Sequence, residues 1–157
     1  MEGHNFERLK AHILNLSVAA EFEQALLEWK LDAVEVSEDM DQCPCGKDIK
    51  EHCYIRNIQN GKKTYVGNVC INRFMRIDTG SLFQGLRRIA LDPAANANLD
   101  VIEYAWEKGF LFSEEEYSFL KRTVRKRNLS PSQISWKKKV NARILKGTVV
   151  RRRTVRD

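Results

Sequence analysis

Apolar residues near the start of the chain recur every three or four positions, the period of an α-helix that is buried on one face. The positions with this spacing are Phe6, Leu9, Ile13, Leu16, Phe22, Leu26 and Trp29. They predict two helices before residue 32. From Leu31 the pattern changes to alternation, so residues 33–36 are predicted to form a short strand, followed by an acidic loop at 37–42.

Two alternating stretches in the middle of the chain predict a β-hairpin. The first covers residues 53–58 and the second covers residues 63–67, and both are rich in β-branched and aromatic side chains. Asn60 and Gly61 lie between them, and this dipeptide suits the positive φ angles of a tight hairpin turn. After Gly67 the helical period returns, so Cys70 is expected to open a helix.

The chain beyond residue 80 has the signals of helices. Ser113 and Ser130 each begin a sequence of the capping-box form, and Gly109 and Gly147 suit helix C-termini. Helices are predicted over residues 99–108, 113–127 and 130–146. The fold class predicted is therefore α+β, with a small antiparallel sheet packed with helices and a helical C-terminal region.

These patterns divide the chain into four predicted segments. Residues 1–32 form an acidic helical segment, and residues 33–78 form a β-hairpin module that contains all the cysteines. Residues 79–147 form a helical region that ends in a basic helical hairpin. Residues 148–157 are predicted to be a flexible basic tail.

Charge is segregated along this chain of 157 residues, which has a formal net charge of +6. Residues 1–42 carry 3 basic and 10 acidic side chains, and residues 43–116 carry 10 of each. Residues 117–157 carry 14 basic side chains and a single acidic one. The hydrophobic fraction of 43% is enough for a modest core, which excludes a wholly disordered chain.

The distribution of apolar residues also bears on the compartment. No apolar run approaches the roughly 20 residues that a membrane span needs, and residues 1–10 are polar. We therefore expect a cytoplasmic protein with no membrane partner. Because the cytosol is reducing, cysteines there are expected to be metal ligands or inert thiols rather than disulfides.

The four cysteines lie within 28 residues of one another, at Cys43, Cys45, Cys53 and Cys70. Thiolate sulfur is a preferred ligand of zinc, which takes four ligands in a tetrahedron at structural sites. Cys43-Pro44-Cys45-Gly46 is a turn sequence that can curl around a metal. The cluster predicts one structural Zn²⁺ bound by all four cysteines.

The fourth ligand has an alternative, because His52 adjoins Cys53. Neighbouring residues on a strand point to opposite faces, so only one of the two side chains can reach the metal. Cys53 is preferred, since His52 would leave a lone thiol nearby.

The sequence around the cysteines resembles a small zinc-binding module of bacterial and phage proteins whose functions are largely unknown. The resemblance rests on Cys-Pro-Cys-Gly at 43–46, Cys-Tyr-Ile-Arg-Asn at 53–57, the Asn-Gly turn and Val-Gly-Asn-Val-Cys at 66–70, and it extends to 72–74, 77–80 and 127–133. It implies a treble-clef or ribbon-like zinc fold in a phage or mobile-element setting. It implies no catalytic residue.

The basic C-terminal segment is a candidate for nucleic-acid binding, because clustered Lys and Arg neutralise phosphates. The candidate contact residues are Lys121, Arg122, Arg125, Lys126, Arg127, Lys137, Lys138, Lys139, Arg143, Lys146, Arg151, Arg152 and Arg153. The sequence does not distinguish DNA from RNA. The predicted function is a non-enzymatic, zinc-stabilised accessory protein that binds nucleic acid.

A competing hypothesis is a protein-interaction module, such as an adaptor or inhibitor of a host protein. In that case the acidic or the basic helices would bind the host partner. No arrangement of nucleophile, base or phosphate-binding glycines suggests an enzyme or a small-molecule substrate.

Overall fold

A computed structural model describes residues 2–151 of the chain. The chain divides into two compact units, residues 1–79 and residues 80–157, which are described separately as unit 1 and unit 2. Both units contain helices and unit 1 contains an antiparallel sheet, so the α+β prediction is confirmed. Within residues 2–151, every helix is too short or too polar to cross a membrane.

Unit 1 contains three helices and three strands among its described residues. In chain order they are α1 (Glu2–Asn15), α2 (Phe22–Leu26), β1 (Trp29–Gln42), β2 (Asp48–Asn57), β3 (Lys63–Gly67) and α3 (Asn68–Arg73). The strands form an antiparallel sheet in the order β1-β2-β3, so β2 is the central strand.

Strand β1 is longer than its sequence pattern predicted. It begins at Trp29, inside the segment expected to be helical, because Trp29 pairs with Asn57 of β2. It also includes residues 37–42, which were predicted to be an acidic loop, and the pairing with β2 shifts register between Val36 and Asp41. An edge strand tolerates this run of acidic side chains because one side of it faces solvent.

The β2–β3 hairpin is present, but its turn is wider than the predicted Asn-Gly turn. The backbone N–H of Asn57 donates to the carbonyl of Lys62, and the Asn57 side-chain oxygen accepts hydrogen bonds from the N–H groups of Gln59 and Asn60. In the described chain Gly61 has a positive φ of 76° and Asn60 does not. The side chain of Asn57 therefore organises a five-residue loop.

One face of the sheet and helix α1 enclose the core of unit 1. Cys53, Ile55 and Val66 are buried on this face, and Leu9 and Ile13 are the buried positions of α1. The ring of His12 on α1 forms a 2.8 Å hydrogen bond with the Thr64 hydroxyl on β3. The apolar period predicted for α1 therefore corresponds to its sheet-facing side.

A buried carboxylate, Glu28, holds three separate pieces of unit 1 together. It accepts hydrogen bonds from the backbone N–H groups of Val18 and Ala19 and from the side-chain amide of Asn57, each at 2.8 Å. The hydrogen bond from Asn57, followed by that from Val18, lowers the pKa of Glu28 below its ordinary value of 4.5. Ionised Glu28 therefore fixes the chain before β1 to the end of β2.

We expect Glu28→Gln to lower the melting temperature at pH 7 by several degrees, because the amide cannot accept all three hydrogen bonds. A carboxylate with a lowered folded-state pKa stabilises the fold above its unfolded pKa, and this contribution is lost as pH falls through the folded pKa. The difference between wild type and variant should therefore shrink below about pH 4. Thermal unfolding followed by circular dichroism measures it.

Glu23→Gln is the matched control for this variant. Glu23 pairs with Arg76 at 2.9 Å, but both side chains are exposed, and such pairs contribute little. Equal effects of the two substitutions would contradict the role assigned to Glu28.

Unit 2 is helical over its described residues. Its helices are α4 (Leu82–Leu91), α5 (Leu99–Lys108), α6 (Glu114–Arg122) and α7 (Pro131–Lys146). Ser130 and Gln133 form the predicted capping box, whereas Ser113 caps α6 without a reciprocal bond from Glu116. Gly109 and Gly147 end α5 and α7 in the left-handed conformation, as predicted.

Glu116 instead lies at the centre of a polar cluster between α6 and α7. Its carboxylate accepts hydrogen bonds from both terminal nitrogens of Arg143 at 2.8 Å and from the indole N–H of Trp136 at 2.9 Å. Burial would raise the pKa of Glu116, but the hydrogen bonds from Arg143 and Trp136 lower it overall. Trp136 also stacks on Phe119, with ring centroids 4.0 Å apart. These contacts fix the two helices against each other.

Candidate metal centre and basic surface

Three cysteines converge in unit 1. The sulfur atoms of Cys43, Cys45 and Cys70 all lie within 4.8 Å of one another, and the residues are 1%, 1% and 5% exposed. Cys43 and Cys45 come from the turn between β1 and β2, and Cys70 lies on α3. All four cysteines belong to the described part of the chain and are free thiols. The three sulfurs are close enough to hold a metal ion.

The turn that carries Cys43 and Cys45 has a closely defined shape. The N–H of Cys43 donates to the carbonyl of Lys47, and the N–H of Gly46 donates to the carbonyl of Cys43, both at 2.8 Å. Gly46 has a φ of 102°, and the Arg8 guanidinium of α1 occupies the space that a side chain at position 46 would need. A residue other than glycine would therefore be strained at this position.

The environment of the cluster favours a thiolate at Cys43. Its sulfur accepts a hydrogen bond from the backbone N–H of Gly67 at 3.3 Å and shares another with the Cys70 sulfur at 3.8 Å. The hydrogen bond with Cys70 lowers the pKa of Cys43 to about 5, and the pKa of Cys70 is raised correspondingly. Of these two sulfurs, that of Cys43 is therefore the one favoured as a thiolate ligand.

Neither predicted fourth ligand joins this group. Cys53 is buried on the core face of β2, where it pairs with Val34 and Val66, and its sulfur is not within 4.8 Å of all three others. Burial raises the pKa of Cys53 to about 12, so its thiol stays protonated. The structure therefore brings three of the four predicted cysteine ligands together, and coordination by Cys53 stays a prediction.

His52 is held on the opposite face of the sheet. Its Nε2 atom lies 3.0 Å from the Asp41 carboxylate, and its Nδ1 atom lies 3.2 Å from the carbonyl oxygen of Lys50. Its ring also contacts that of Tyr65, with centroids 5.1 Å apart. The alternation of side chains along β2 explains why His52 and Cys53 point in opposite directions.

A groove of about 630 Å³ lies beside the three sulfurs. Cys43, Cys45 and Cys70 line it together with residues of the turn, of β2, of α3 and of the start of α1. Asn5 of α1 lines this groove, and Arg8 of α1 packs against Gly46. No spacing in the sequence indicated these contributions, because they join residues almost forty positions apart.

Comparison with known proteins adds no assignment. The chain matches no protein-family model, no curated protein and no solved structure. The similarity to bacterial and phage zinc modules stays a prediction.

The basic residues predicted to contact nucleic acid have different environments in unit 2. The exposed ones, which we call the basic surface, are Lys121, Arg122, Arg125, Lys126, Arg127, Lys138, Lys139 and Lys146. Helix α6 ends at Arg122, five residues before the predicted end, so residues 125–127 lie on the turn and loop between α6 and α7. Hydrogen bonds from Lys126 N–H to the Thr123 carbonyl and from Asn96 to the Lys126 carbonyl hold this turn.

Two of the candidate contact residues, Lys137 and Arg143, are not exposed. Lys137 is 1% exposed, and its ammonium donates to the side chain of Asn96 and to the carbonyl of Thr123. It thereby satisfies a carbonyl at the C-terminal end of α6. Arg143 is occupied by the buried Glu116 carboxylate. Both side chains stabilise unit 2 and are unavailable for phosphate contacts.

The described part of the predicted flexible tail makes contacts with helix α5 and the residue that ends it. The N–H groups of Val150 and Arg151 both donate to the carbonyl of Gly109, at 2.8 and 3.0 Å. The Arg151 guanidinium lies 3.8 Å from the centre of the Trp106 ring. The flexibility of the tail stays a prediction, and the candidate contacts Arg152 and Arg153 lie outside the described residues.

The burial of Lys137 predicts a pH dependence of stability. Burial lowers its pKa from 10.5 to about 8, so between these values the unfolded chain binds more protons than the folded chain. Raising the pH from 8 to 10.5 should therefore increase the free energy of unfolding. The contribution of Lys137 to this increase is at most about 1.4 kcal/mol per pH unit. Denaturant unfolding of wild type and Lys137→Met across this range measures the contribution.

The exposed neighbour supplies the control for this experiment. Lys138→Met should keep the pH dependence of the wild type, whereas Lys137→Met should lose part of it. Identical pH profiles for wild type and Lys137→Met would contradict the assignment.

Proposed function

We propose that this protein binds one Zn²⁺ through Cys43, Cys45 and Cys70 in unit 1 and binds nucleic acid through the basic surface of unit 2. In this proposal it is a non-enzymatic accessory protein. The convergence of the three buried sulfurs carries the metal part, and the eight exposed basic residues support the nucleic-acid part.

The ligand chemistry favours zinc. Thiolates suit zinc, and the three sulfurs come from a tight turn and a following helix, which a metal would join. The α3 helix is short, and a bound metal would add the stability that a small core lacks. The metal would then be a structural element of unit 1.

We expect purified protein to contain one zinc per chain, measured by mass spectrometry of the metal. A strong chelator should remove the zinc and lower the melting temperature, and added zinc should restore it. Substitution of a residue that only supports a metal ligand typically lowers metal affinity roughly 10- to 100-fold. Cys45→Ser removes a ligand and should lower zinc affinity by more than that. Its melting temperature should then hardly respond to chelator. A protein that is fully folded and free of metal would refute the zinc proposal.

The charge of unit 2 supports nucleic-acid binding. The sequence from Tyr117 to Arg151 contains no Asp or Glu, although Lys121 pairs with the Glu103 carboxylate of α5 at 3.8 Å. Most of the basic surface lies around the α6–α7 turn, where hydrogen bonds hold the backbone. Release of counterions from phosphates would drive such binding, without preference for a base sequence.

The turn residues provide the test. Replacing Arg125, Lys126 and Arg127 by Gln should lower affinity for fluorescent DNA and RNA oligonucleotides in anisotropy titrations. It should also reduce the slope of log affinity against log salt by about two to three, since each phosphate contact contributes about 0.7 to 0.9. The effect should be similar for different base sequences.

A matched control removes the same charge elsewhere in unit 2. Replacing Arg87, Arg88 and Lys108 by Gln should leave most of the affinity intact. Equal losses in both triple variants would contradict a localised basic surface. No binding by the wild type at low salt would refute the nucleic-acid proposal, and a co-purifying protein free of nucleic acid would favour the competing adaptor or inhibitor function.

A further inference from the structure

The metal centre proposed for unit 1 has three ligand atoms from the described part of the chain. Among residues 2–151, the group of possible ligand atoms from His, Cys, Asp and Glu at this place consists of the sulfurs of Cys43, Cys45 and Cys70. These atoms all lie within 4.8 Å of one another. Zinc is generally four-coordinate in proteins, and sites with three protein ligands take the fourth from solvent or from a bound molecule. The geometry of unit 1 therefore raises the question of where the fourth donor comes from.

Cys53 is poorly placed to supply it. The residue lies in the middle of the central strand and is paired on both sides, with Val34 of β1 and with Val66 of β3. The pairing fixes its backbone on the core face of the sheet, beside the buried Ile55 and Val66, and its sulfur is not within 4.8 Å of all three others. His52 is directed to the other face and is held there by Asp41.

The groove offers a route to the sulfurs from outside. All three cysteines line the groove, which is large enough for a small molecule. Its lining includes three basic side chains, Lys47, Lys50 and Arg73, and two acidic ones, Asp48 and Glu51. A divalent ion with three thiolates carries one negative charge overall, and the net charge of +1 on the lining side chains offsets it, so the groove does not repel a further anionic donor.

We propose that the metal centre of unit 1 is open, and that its fourth ligand is an exchangeable small anion that enters through this groove. The proposal rests on the metal binding described under Proposed function. Solvent occupies the fourth position when no such ligand is present. A thiolate binds there more tightly than a carboxylate, because a centre with three sulfur ligands prefers a soft donor.

X-ray absorption of the wild-type zinc protein in thiol-free buffer tests the ligand count directly. We expect three sulfur neighbours at about 2.3 Å and one nitrogen or oxygen neighbour at about 2.0 to 2.2 Å. Four sulfur neighbours would overturn the proposal. This measurement does not depend on the folding of any variant.

Cobalt substitution tests exchange. The visible spectrum of the Co²⁺ protein should change saturably when 2-mercaptoethanol is added, and should change far less with acetate at the same concentration. Cys53→Ala and His52→Ala should keep the wild-type spectrum and the same response, with metal affinity within about threefold. An open site would be contradicted if the wild-type spectrum did not respond to 2-mercaptoethanol. It would also be contradicted if either variant were folded by circular dichroism and had a changed spectrum.

These outcomes separate the two proposals. If the protein binds neither zinc nor cobalt, the metal part of the proposed function fails and the open site fails with it. If the protein binds metal with four sulfurs from the chain, the zinc centre stands and only the open site fails.

Discussion

The contact between the cysteine turn and the end of β3 constrains unit 1. The N–H of Gly67 donates to the sulfur of Cys43, and Cys70 follows one turn of chain later. Gly67 is also tightly enclosed, since a side chain there would collide with Ile49. The pairing of β1 and of β3 with β2 brings Gly67 close to the cysteine turn. The sulfur cluster therefore depends on the register of the whole sheet.

Each unit places an ionisable side chain in its interior and satisfies it with backbone groups. Glu28 accepts hydrogen bonds from the N–H groups of Val18 and Ala19, which precede α2. Lys137 donates a hydrogen bond to the carbonyl of Thr123, just beyond the end of α6. Burial of a charge is costly unless such partners are present. Both residues therefore fix irregular segments that have no regular hydrogen bonding of their own.

The basic side chains of unit 2 fall into two groups, those that are packed against partners within the unit and those that are exposed to solvent. Arg143 is paired with the carboxylate of Glu116, and Arg151 covers the Trp106 ring. Lys137 is buried, and the eight side chains of the basic surface are exposed, five of them at the end of α6 and on the turn that follows it. The charge available to a polyanion is thus smaller than the composition of the segment indicates, but it is concentrated at one place in the chain.

Local sequence signals determined the type and order of most elements. The apolar period of α1, the Ser130 capping box and the glycines after α5 and α7 depend on residues a few positions apart, and the structure contains each of them. The closeness of Cys43 and Cys45 likewise follows from a turn of five residues. What only the tertiary structure decided is which distant groups meet: Cys70 joins the turn while Cys53 does not, and Lys137 is buried while Lys138 is exposed. Strand register and helix packing decide these outcomes, and they depend on the summed contacts of residues far apart in the chain.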